Sequence, residues 1–69
     1  MTTHTNIVDN HLYQKGFSTK RVTSDAIRVS LNRKVKKMEV ETALLDSFDE
    51  ELFETQQSGD NVLVFVIGE

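Results

Sequence analysis

A chain of 69 residues with no cysteine, no proline and a formal charge of −3 has room for one folding unit and one core, and it excludes a disulfide framework or a cysteine-ligated metal. A domain of this size buries only about 60% of the surface its unfolded chain exposes, so a homodimer is the expected further support. The polar start, Met1 to His11, does not have the form of a signal peptide, and the longest apolar run, Val62 to Ile67, spans six residues against the roughly 20 of a membrane helix. The expectation is a soluble, cytoplasmic protein with no membrane partner.

The net charge conceals two opposed blocks. All eight bases lie between Lys15 and Lys37, where Asp25 is the only acid, giving that stretch +7. From Met38 onward there are nine acids and no base, and Asp9 completes the total of −3. Local charge, rather than the average, decides what a surface attracts.

In chain order, Thr5 to Lys15 predicts a short helix, with Ile7, Val8, Leu12 and Lys15 at helical spacing and Gly16 as its stop. Residues 1–6 are expected to be mobile, and His4 and His11 to be solvated rather than metal-bound. No glycine or proline interrupts residues 17–58, which favours helices over tight hairpins. From Ser24 to Leu45, the spacing of Ile27, Leu31, Val35, Met38, Thr42 and Leu45 predicts one long helix with a narrow apolar stripe. Thr23 or Ser24 would cap it, and Asp25 would complement its dipole. The same stripe covers two heptads of a possible dimer seam. The rival reading pairs Ile27–Leu31 with Met38–Thr42 as a hairpin, setting Arg28 and Ser30 opposite Glu39 and Glu41. Its turn, Asn32-Arg33-Lys34, lacks the glycine such turns favour, so the helix is preferred.

Ser47-Phe48-Asp49-Glu50 has the form of a capping box and predicts a further helix carrying Phe48, Leu52 and Phe53 to a stop at Gly59. Asn61 to Ile67 predicts a strand, apolar on both faces and therefore covered on both. Its partner would be Phe17–Val22, Ile27–Leu31 or the same strand of a second chain, with Asp60 and Glu69 guarding its ends. The sum is a small single-domain α+β fold, mostly helical with a C-terminal strand and an order of elements that suits a helix-turn-helix.

No nucleophile elbow, metal-ligand spacing or Gly-rich phosphate loop is present, so no cofactor and no catalysis are expected. Binding remains, in a small regulatory or accessory protein. The first candidate is DNA or RNA, contacted through Lys20, Arg21, Arg28, Asn32, Arg33, Lys34, Lys36 and Lys37, which on one helix would form rows able to lie along phosphates. No aromatic residue lies inside that run to stack on bases. The second is a basic protein partner, bound through the acidic and aromatic segment Phe48, Asp49, Glu50, Glu51, Phe53 and Glu54. The two readings divide on whether the charged blocks face apart or neutralise one another.

Overall fold

The computed structural model describes residues 3–67. Its elements are α1 (Thr3–Gln14), β1 (Ser18–Thr23), β2 (Ala26–Ser30), α2 (Lys37–Leu45), a 3₁₀ turn (Glu50–Leu52), β3 (Phe53–Ser58) and β4 (Asn61–Val66). The strands form one antiparallel sheet in the order β1-β2-β4-β3. Because β2 and β3 both run antiparallel to the β4 strand between them, β2-α2-β3 is a split β-α-β unit. Two helices over a four-stranded sheet replace the expected mostly helical, helix-turn-helix-like arrangement; the α+β class stands, its balance does not.

The long helix over Ser24–Leu45 does not form. Ala26–Ser30 is a strand, and helix begins only at Lys37. A helix through this stretch would stack Arg33 against Lys36 and Lys37 at spacings of three and four, where like charges repel. The strand instead buries Ile27 and Val29 fully, against Val64 and Val62 of β4. The rival hairpin fails as well, since β2 pairs with β1 and β4, and Arg28 faces Lys20 and Leu63 rather than Glu39. On α2 the buried residues are Val40 and Leu44, off the predicted stripe, while Met38 and Leu45 of that stripe are 74% and 52% exposed. No helical seam for a dimer remains.

The second predicted helix is also absent. Ser47 closes α2, its N–H donating to Leu44 O at 3.1 Å, and Asp49 precedes the single 3₁₀ turn. The chain from Phe53 to Ser58 then alternates, with Phe53 and Thr55 buried and Glu54 and Gln56 exposed. Gly59 is not a helix stop but the first residue of a two-residue hairpin turn between Ser58 and Asn61. Its φ of +60° is the left-handed value such a turn requires there.

Two expectations hold. α1 ends at Gly16, whose φ is +98°, with Phe17 N–H returning to Leu12 O at 3.2 Å to close the helix. The inward residues of α1 are Thr5, Val8 and Leu12, whereas Ile7 is exposed. The C-terminal strand forms as well, and one of its neighbours is the anticipated Ile27 segment. It is covered on one face only: Val62, Val64 and Val66 join Val8, Leu12, Val40, Leu44, Ile27, Val29, Val35 and Phe53 in the core, while Leu63 and Phe65 stand outside it on the face away from both helices. Each fully buried aliphatic side chain contributes about 1.5–3 kcal/mol. Gly68 and Glu69, expected to flank the strand, lie outside the described residues. No helix is long and apolar enough to cross a membrane.

Candidate binding surfaces

The fold disperses the basic segment. Lys20 and Arg28 lie directly opposite one another across β1 and β2, on the open side of the sheet. Arg21 points to the other side, where its guanidinium donates to the Asn6 side-chain oxygen on α1. Asn32, Arg33, Lys34 and Lys36 occupy the exposed connection into α2. Arg33 grips Glu39 with two bonds, Nη1 to Oε2 at 3.0 Å and Nη2 to Oε1 at 2.7 Å, and Nη1 also reaches Lys34 O at 2.9 Å. The Lys36 N–H donates to the same carboxylate at 3.0 Å, which secures the start of α2. Bonded first by the guanidinium and then by that amide, Glu39 is pulled down to about 2 and Arg33 is raised. Lys37 opens α2, its N–H held by Gln57 Oε1 at 2.8 Å. The predicted helical row of cations therefore does not exist, and the eight named residues spread over both sides of the sheet and one of its ends.

The acidic segment is partly assembled. Phe48 packs inward, its ring meeting the His11 ring edge-on at 5.3 Å and 89°. His11 is thus not a solvated tail residue; its Nε2 donates to Ala43 O at 2.8 Å and ties α1 to α2. Asp49, just before the 3₁₀ turn, and Glu51, on it, are exposed. Glu50, Phe53 and Glu54 come together with Glu41 and Leu45 of α2, Thr55 of β3 and Lys37 to line an open depression of about 300 Å³. Three carboxylates and one ammonium surround it. Thr55 is buried beneath, donating its hydroxyl to Glu41 Oε2 at 2.8 Å. Glu41, Leu45 and Thr55 were not assigned to this surface from the sequence, because only the packing of α2 on β3 brings them to Glu50 and Glu54.

The chain matches no family model, no characterised protein and no solved structure significantly. The surfaces must therefore be interpreted from their own chemistry.

The depression adjoins the end of the sheet. β3 is an outer strand in the order β1-β2-β4-β3, so among the described residues one of its edges has no neighbouring strand, and such an edge presents unpaired N–H and C=O groups. Its Ser58 end is fastened by Gln57, whose Nε2 donates to Val35 O at 2.8 Å and Gly59 O at 2.9 Å. One further ion pair, Lys15 with Asp46, joins the ends of α1 and α2 and lowers the Asp46 carboxyl. Among the described residues no three His, Asp or Glu side chains converge to hold a metal.

Proposed function

We propose that this chain is a non-catalytic protein-interaction module that takes an extended, basic segment of a partner as a fifth strand along β3. The observation that supports this reading is the coincidence of an open strand edge with the depression walled by Glu41, Glu50 and Glu54 over Leu45 and Phe53. Strand addition supplies affinity through main-chain hydrogen bonds, and alternate side chains of the added strand supply specificity. Lysines or arginines at alternate positions would meet the three carboxylates, while Lys37 opposes a further cation at its end. The nucleic-acid reading is the weaker one, since Arg33 is committed to Glu39, Arg21 to Asn6 and Lys15 to Asp46.

The test is fluorescence anisotropy with a labelled peptide of alternating lysine and valine. Binding in the micromolar range at low salt is expected, weakened about tenfold by Glu50→Lys, an exposed position whose reversal leaves the core untouched. A peptide N-methylated at alternate amides should bind at least tenfold more weakly, because it cannot donate to the strand edge. Equal binding by the methylated peptide, or tighter binding of a single-stranded oligonucleotide than of the peptide, would overturn the proposal.

A further inference from the structure

We infer that the open face of the sheet, which shares only Glu54 with that groove, is the self-complementary interface of a symmetric dimer of this chain. Three observations carry it. Leu63 and Phe65 sit on a central strand, half-buried, yet outside the core. The face is graded in charge across its width: Lys20 and Arg28 on β1 and β2, the two apolar residues on β4, then Glu54 opposite Phe65 on β3. Lys20 and Arg28 face each other directly across the strand pair, where like charges repel, and neither has an ion-pair partner among the described residues.

The grading selects both the partner and the orientation. In a face-to-face pair a two-fold axis lying across the strands would set β1 over the partner's β1, cation over cation. An axis parallel to the strands sets β1 over the partner's β3 and β2 over the partner's β4, as an isologous interface requires. Leu63 and Phe65 then lie over β2 of the partner subunit, and the partner's Glu54 comes within reach of Lys20 and Arg28. Nucleic acid fits less well, because the Glu54 carboxylate stands directly across from Phe65, the one aromatic ring on this face among the described residues. Four strands about 4.8 Å apart and six residues long give a face of about 19 by 20 Å. Two such faces cover about 760 Å² in total, below the roughly 1,200 Å² at which standard specific interfaces start, so the dimer is a weak one, with a dissociation constant on the order of hundreds of micromolar.

Light scattering and sedimentation equilibrium from 5 μM to 1 mM test this. The mass should rise from 7.9 kDa toward twice that value. Phe65→Ser should leave the circular dichroism spectrum unchanged and weaken association at least tenfold. Arg28→Glu should do the same, and Arg28→Glu with Glu54→Lys should recover most of the loss, since the swap restores opposite charges across the two-fold. A monomer at 1 mM, a dimer indifferent to Phe65→Ser, or a swap without recovery would each overturn the inference. So would tight, Phe65-dependent binding of a short oligothymidylate by the monomer, which would make the face a nucleic-acid platform instead. Glu54 also walls the groove, but Phe65→Ser and Arg28→Glu leave every groove residue unchanged, so their outcomes keep failure here separate from failure of the peptide reading.

Discussion

The two faces of β4 are built from one uninterrupted apolar run and have different fates. Val62 and Val64 are fully buried and Val66 nearly so, whereas Leu63 and Phe65, one residue removed, are only partly buried on the side no helix covers. Folding demands the first set, because the covered face is where α1 and α2 find their apolar partners. It does not demand the second, and an antiparallel sheet with one solvated face ordinarily carries polar residues there. That surplus apolarity is the surface the proposed dimer would cover. The comparison is broken most directly on the strand itself. Val64→Ala should cost about 2 kcal/mol through lost burial and an unfilled cavity, visible as a lower midpoint in urea. Leu63→Ser, measured in dilute solution, should cost less than about 1 kcal/mol. Equal losses would mean that the second face is as necessary to the fold as the first.

A sharper form of the comparison concerns how the sheet is finished where side-chain packing stops. At the Ser58 end of β3 polar contacts do much of the fastening: beside the Val35 N–H bond to Asp60 O at 2.9 Å, Gln57 accepts from Lys37 N–H and shares its two amide hydrogens among the carbonyls of Val35, Gly59 and Asn61, the last at 3.1 Å. This side chain joins the loop into α2, the β3-β4 turn and the first residue of β4. Gln57→Ala should cost about 1–2 kcal/mol, the scale of a few partly exposed hydrogen bonds. It should also raise hydrogen exchange at Lys37 more than at Val64. Uniform acceleration at both amides would show that this end is not a local fastening but part of the same cooperative unit as the covered face.

What could be seen in the sequence follows from how local each signal is. The end of α1 was legible because Gly16 alone meets the left-handed requirement there, and β4 was legible because its β-branched run needs no partner to be recognised. The helix stripe over Ser24–Leu45 misled because Ile27, Leu31 and Val35, four apart, do all pack inward, but from a strand and the loop after it, so their spacing of four arose by coincidence. Choosing correctly requires the pairing of Ile27 with Val64, a contact across more than half the chain that no window of local spacing contains. The Gly59-Asp60 pair between alternating segments was a hairpin signal that the capping-box form of Ser47–Glu50 outweighed. Of the groove, Glu50, Phe53 and Glu54 could be assigned to one surface, while Glu41 and Leu45 could not, because helix and strand meet only after folding.

The smallest effect expected is electrostatic, and it separates the covered face from the exposed connection beside it. Glu39 titrates near 2 in the folded chain against an ordinary value of 4.5, owing to the Arg33 guanidinium and then the Lys36 amide. A carboxyl depressed in this way adds stability that is fully present above 4.5 and is lost as the pH falls toward 2, because the unfolded chain takes up the proton first. Asp46, lowered by Lys15, acts with the same sign. Asp46 is exposed and Glu39 partly so, so the effect is modest and screened by salt. Urea midpoints of the parent chain and of Glu39→Gln, followed from pH 6 to pH 2, should differ most above 4.5 and approach one another toward 2, with the gap narrowed in 0.5 M salt. The valines of the covered face carry no titrating group, so the part of the stability that survives at pH 2 measures their packing. Parallel curves across the whole range would mean that the Arg33–Glu39 pair forms equally in the unfolded chain, and that the connection into α2 is held by Gln57 and Val35 without help from charge.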